Sequence, residues 1–183
     1  MEDERSLAQR LGQTVHVSLL RRKVLGLQKL YPGLNPPCLE DWLLDLANHR
    51  GARSVSRSVD SLNAKWEAPS EEELSNTELV VAICQPQNRD RPQWFRVAAE
   101  LISAGRVDVG ELLFLVRKER CERILAELSK QALIAETENP IWSEIQDAFC
   151  DVAPLSDALI HWSRLTTKKA AGRRRVISRP LAS

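Results

Sequence analysis

The sequence predicts an all-α protein: a compact bundle of about six or seven helices, with solenoid-like packing of helical hairpins as a variant, and a basic C-terminal tail. Three observations predict it. Apolar residues recur at three- and four-residue spacing along much of the 183-residue chain, the period of an amphipathic helix. Capping residues stand where those stripes begin, and glycine or proline where they end. The composition, 43% hydrophobic and 28% charged, is enough to build a core and argues against wholesale disorder. No clear repeat of roughly 33–47 residues emerges, so a regular solenoid lacks direct support.

The first helical stretch spans residues 5–31, as one helix or two. Leu7, Leu11, Val15 and Leu19 form one stripe; Leu20, Val24, Leu27 and Tyr31 form a second. Thr14-Val15-His16-Val17 alternates like a short strand, which keeps a β start open. Pro32-Gly33 ends the element. Asn35-Pro36-Pro37 offers a cap and first-turn prolines for a helix to about Arg50, with Trp42, Leu43 and Leu46 inward and Gly51 just past its end. A Ser/Arg-rich stretch, Ser54 to Ser58, follows, then a short amphipathic segment with Val59, Leu62 and Trp66. Ala68-Pro69-Ser70 is the most plausible internal boundary.

Ser75-Asn76-Thr77-Glu78 has the form of a capping box, in which two side chains satisfy each other's free backbone groups. The run that follows, Leu79 to Ile83, also reads as a strand; the cap decides for a helix ending near Cys84. After a polar loop, Pro92 opens a helix with Trp94, Val97, Ala98 and Leu101 on one face, stopping near Gly105. Asp108 and Glu111 open what reads as the strongest helix, to about Ala135, its stripe carried by Phe114, Cys121, Leu125, Leu128 and Ala132. Asn139-Pro140 starts another, with Ile141, Trp142, Ile145 and Phe149 inward. Pro154 and Ser156 begin a last one with Leu159, Ile160 and Trp162. The expected core includes Trp42, Trp94, Leu101, Phe114, Leu125, Leu128 and Trp142. The organisation is an N-terminal helical part (1–68), a C-terminal helical part packed with it (69–166) and a basic flexible tail (167–183).

Charge is uneven. Residues 164–183 hold seven basic side chains and no acidic one, leaving 19 basic and 25 acidic residues in the first 163, a net of −6. The chain is an acidic body with a basic end. No uncharged run approaches the ~20 residues that span a bilayer, and the acidic start, Met1-Glu2-Asp3-Glu4, is unlike a secretory signal. Cys38, Cys84, Cys121 and Cys150 lie far apart, without zinc-ligand spacing, and read as reduced and mostly buried. A cytoplasmic protein with no membrane contact, no metal and no cofactor is the expectation.

His16, His49 and His161 stand apart, and the phosphate-loop, dinucleotide, zinc-protease and serine-hydrolase motifs are absent. The sequence therefore reads as non-enzymatic. Five tryptophans beside one tyrosine and three phenylalanines suit helix junctions and interfaces. The first functional expectation is a protein–protein interaction module: an adaptor, a regulator or a subunit of a larger complex. Arg117, Arg120 and Arg123 sit in a dense mixed-charge run that reads first as a solvated helix face with ion pairs at three- and four-residue spacing; the sharper reading is an arginine-anchored docking face. The alternative is a nucleic-acid-binding subunit, using that face with Lys168, Lys169, Arg173, Arg174 and Arg175 of the tail.

Two short likenesses bear on function. Arg10 followed by His16 resembles the Arg-x(4–6)-His signature of helical HEPN ribonucleases, which implies shared acid–base work by Arg10 and His16 on RNA; Leu11 replaces the polar residue usual after the arginine. Ser103-Ala104-Gly105-Arg106-Val107 running into Leu113-Phe114-Leu115-Val116-Arg117 is similar to part of the helical small subunit of type I CRISPR Cascade complexes, which implies contact with nucleic-acid backbone. That likeness fails upstream of Ser103.

Overall fold

The computed structural model describes residues 18–32, 38–52, 55–56, 66–86, 92–153 and 175–176, with backbone alone at 55–56, 92–93 and 175–176. Seven helices run through them: α1 (Leu19–Leu30), α2 (Leu39–His49), α3 (Asn76–Ile83), α4 (Pro92–Ser103), α5 (Val109–Lys118), α6 (Glu122–Ala135) and α7 (Pro140–Ala148). Two two-residue strands, β1 (Val55–Ser56) and β2 (Arg175–Val176), pair in parallel, Val55 opposite Arg175. Neither strand is anticipated by the sequence pattern, and so short a ladder leaves the all-α class unchanged. No helix among the described residues is long and apolar enough to cross a membrane.

The bundle is organised around α3. The capping box predicted from Ser75 and Glu78 forms: the Ser75 hydroxyl accepts the Glu78 N–H at 3.0 Å, and the Glu78 carboxylate accepts the Ser75 N–H at 3.0 Å. Leu79, Val80, Val81, Ala82 and Ile83 are all buried. A helix apolar all round must be enclosed, and α1, α2, α4 and α5 each pack on it. This explains why the run looks like a strand: a fully buried helix of eight residues carries no amphipathic period to read. A central helix with four neighbours also differs from a solenoid, whose units touch only adjacent units.

The remaining helices start and stop on local signals. Asp108 caps α5, accepting the Glu111 N–H at 2.6 Å, and Asn139 caps α7 through the Ile141 N–H at 3.1 Å, with Pro140 at its first position. Ser18 caps α1. Here Leu20, Val24 and Leu27 are buried as the second stripe predicts, whereas Leu19 is exposed. α2 begins after Cys38 rather than at the Asn35-Pro36-Pro37 signal, and Cys38 gives no side-chain cap bond. Gly51 and Gly105, at φ 100° and 67°, follow α2 and α4 in the left-handed conformation that ends a helix.

The predicted single helix from Asp108 to Ala135 is corrected. It is two helices, α5 and α6, parted at Glu119–Cys121. Arg120 takes φ 57°; its N–H reaches the Arg117 carbonyl at 3.3 Å and the Cys121 N–H reaches the Val116 carbonyl at 3.1 Å. The turn closes as those after Gly51 and Gly105 do, with arginine where they have glycine. The break shifts the helical phase. Leu112 and Val116 face inward, and Phe114, midway between them and so on the opposite side of the helix, is 63% exposed. Phe114 is therefore not core, whereas Trp42, Trp94, Leu101, Leu125, Leu128 and Trp142 are buried.

Two tryptophans tie helices through their ring N–H groups, as large buried rings with one donor should. Trp42 Nε1 donates to the Tyr31 carbonyl at 2.7 Å, joining α2 to the end of α1, and Trp142 Nε1 donates to the Ser103 hydroxyl at 2.9 Å, joining α7 to α4. Arg50 is buried between α2 and the segment before α3. Its guanidinium donates to Asn76 Oδ1 at 3.2 Å and to the carbonyls of Pro69 and Ser70 at 3.1 and 3.0 Å, while its own carbonyl accepts from the Arg106 guanidinium. Burial pulls the Arg50 pKa down, and the charges of Glu71 and Glu78 oppose the pull. The expected helical segments at 5–17, 57–65 and 154–166 lie outside the described residues.

Candidate interaction surface

The predicted arginine face lies across the junction of α5, α6 and α7, and the turn at Arg120 splits it. Arg117 Nη2 donates to the Ala148 carbonyl at 3.5 Å, and its guanidinium lies 5.5 Å from the centre of the Phe149 ring. Arg123 Nε donates to the Ala153 carbonyl at 3.0 Å. Arg117 thus serves the carbonyl of the last residue of α7, where orphan acceptors and the helix dipole favour positive charge, while Arg123 holds the segment that follows the helix. Between them Arg120 is exposed, and the turn fixes where its side chain leaves the backbone.

Beside this junction stands a feature the sequence stripe conceals. Phe114 is exposed, and Lys118, one turn on, places its ammonium 5.9 Å from the ring centre, a weak cation–π contact. Between residues 117 and 123 there are four basic side chains and two acidic ones, Glu119 and Glu122. Glu119 accepts from Gln85 Nε2 at 2.9 Å, which anchors the turn to the end of α3. The result is an exposed aromatic ring on α5 with a lysine beside it, one turn before a break that Glu119 ties to the end of α3. Counting phase within α5 alone, from its Asp108 cap, would have exposed Phe114; the assumption of an unbroken helix hid it.

Other predicted residues fare differently. Arg175 belongs to β2, its backbone opposite Val55. Lys168, Lys169, Arg173 and Arg174 lie outside the described residues, as do Arg10, His16 and His161. His49 stands edge-on to Trp66 at 5.9 Å between ring centres, and Trp66 edge-on to Trp42 at 6.1 Å.

No disulfide joins the cysteines: Cys84 and Cys121 are buried, Cys38 and Cys150 exposed. Burial raises the Cys84 thiol pKa well above its ordinary value and pushes Cys121 up to about 12, despite the arginines nearby in sequence. A thiol so held is not a nucleophile near neutral pH. Among the described residues no group of three or more His, Cys, Asp or Glu could hold a metal ion. A crevice lined by Glu40, Leu44, Ile83 and Trp94 is too narrow to admit a water molecule. No family model, curated protein or solved structure matches the chain.

Proposed function

We propose that this protein acts by binding: a helical protein–protein interaction module that serves as an adaptor, a regulator or a subunit of a larger complex. The observation that carries the reading is Phe114, a large aromatic side chain 63% exposed on α5, with the Lys118 ammonium 5.9 Å from its ring centre. Interfaces take their binding energy from a few aromatic and arginine anchors of this kind. The ring stands on a helix packed against α3, α6 and α7, so little ordering is needed when a partner covers it.

Isolation of the full chain from its native cells, after nuclease treatment and a high-salt wash, tests the reading. A protein retained in fixed proportion should be lost from Phe114→Ala and Lys118→Ala while both variants keep their fold. Absence of any such protein, or retention indifferent to Phe114, overturns it.

A further inference from the structure

The charges of the chain are segregated. Residues 5–39 hold six lysines and arginines and no acid, and residues 131–163 hold six acids and no lysine or arginine. α1 lies in the first stretch and α7 in the second. They cover separate flanks: α1 packs on α2 and α3, α7 on α4, α5 and α6. The outward face of α1 runs from Leu19, 64% exposed, through Arg22, Gly26 and Lys29 to Leu30, 73% exposed. Arg21 and Lys23 are ion-paired within the chain, to Glu40 and Glu78. Arg22 and Lys29 make no ion pair among the described residues. On α7 and the turn after it, Glu144, Asp147 and Asp151 are exposed and make none there either. We infer that the outward face of α1 docks on the acidic face of α7 in a second copy of this chain.

Arg22 and Lys29 stand two turns apart, roughly 10 Å along one side of α1. The same interval in sequence separates Glu144 from Asp151, with Asp147 between them. A Cβ at Gly26, within the α1 face, would meet nothing within 4 Å, so a second helix can come close to the backbone there. Exposed ion pairs add little affinity but select the partner and fix its register. Leu19 and Leu30 supply apolar area. Their counterpart is Ile134, 67% exposed on α6 near the turn that joins α6 to α7. Because two different faces meet, the contact is head-to-tail, and each copy keeps one face for the next. The pairing uses none of the Phe114 surface and is independent of the protein-binding role proposed above.

The test is analytical ultracentrifugation of the full chain over a range of concentrations, in about 0.05 M and about 0.5 M salt, which screen charge over different distances. Wild type should gain mass with concentration at low salt and lose that gain at high salt. Arg22→Glu with Lys29→Glu should sediment as a monomer, and so should Glu144→Lys with Asp147→Lys, because each variant sets like charges against each other. An equimolar mixture of the two variants should associate as wild type does, since every α1 then meets an α7 of opposite sign. Circular dichroism confirms that each variant keeps its helices. Arg22→Gln with Lys29→Gln, which introduces no new charge, should weaken association by about tenfold. Phe114→Ala should leave self-association unchanged. A wild type that stays monomeric at every concentration in low salt refutes the pairing. So does a mixture that fails to associate. If the α7 substitutions abolish association while those in α1 change nothing, α7 meets another cation and the pairing is refuted equally.

Discussion

Cys121 and Val116 close the turn that ends α5: the Cys121 N–H donates to the Val116 carbonyl at 3.1 Å, both residues are buried, and Arg120 between the helices takes φ 57° to allow it. A side chain in that conformation crowds its own backbone, at roughly 1–2 kcal/mol. Glycine would escape the crowding, although its freer unfolded chain takes part of the gain back. Arg120→Gly should therefore stabilise the protein by about 0.5–1 kcal/mol, raising Tm by roughly 2–4 °C per kcal/mol for a chain of this size. A lower urea midpoint for that variant would show that the arginine side chain holds the turn.

The phase break makes Phe114 and Leu128 opposites. Leu128 is 1% exposed, and Leu128→Ala should cost about 2–5 kcal/mol through lost burial and the cavity left behind. Phe114→Ala should change stability by no more than about 0.5 kcal/mol, as surface substitutions do. Urea melts of the two variants check both values; equal losses would restore the single long helix.

Two glycines should respond with opposite signs. A Cβ at Gly51 would come within 2.7 Å of the Arg106 guanidinium, and φ is +100° there. Gly51→Ala should destabilise by about 1–2 kcal/mol. Gly26, inside α1, has nothing within 4 Å of such a Cβ, so Gly26→Ala should stabilise by about 0.5–1 kcal/mol through helix propensity. Thermal melts of the pair give the comparison directly.

Thiol labelling separates the cysteines by burial. In the native protein near pH 8, Cys150 should react fastest and Cys38 more slowly, since partial burial raises its pKa. Cys84 and Cys121 should react only after denaturant is added. Reductant should leave Tm unchanged, there being no disulfide to lose. Rapid labelling of Cys121 in the folded chain would contradict the burial that pushes its pKa up.

Tyr31 and Glu73 couple stability to pH. The Tyr31 hydroxyl donates to Glu73 Oε1 at 2.7 Å, and the Ser70 N–H donates to Glu73 Oε2 at 2.9 Å. These bonds, the Ser70 N–H foremost, hold the Glu73 pKa below its ordinary 4.5. Its contribution to stability is present above pH 4.5 and is lost as pH falls through the lower folded value. The same bond from the other side raises the Tyr31 pKa above 10.0, so that contribution is present below pH 10 and lost as pH rises through the folded value. Tyr31→Phe should flatten the stability–pH curve at both ends, measured by urea midpoints from pH 3 to 11.

Much of the fold is written in short-range chemistry. Ser75 with Glu78, Asp108, Asn139, Gly51 and Gly105 mark helix ends because each acts on backbone groups within a few residues of itself, and the structure uses all of them in that way. The core positions of α2, α4, α6 and α7 follow from a periodicity that a single helix expresses alone. Three features answer to contacts distant in sequence. α3 is a helix without an amphipathic pattern because α1, α2, α4 and α5 enclose it. Arg50 is buried because Asn76, Pro69 and Ser70 supply the oxygens that its guanidinium needs. The turn at Arg120 falls at a residue that signals no helix end, because burying Val116 on α5 and Cys121 before α6 requires a change of direction between them. That change sends Phe114 outward, so the candidate surface was decided by tertiary packing and not by the local pattern.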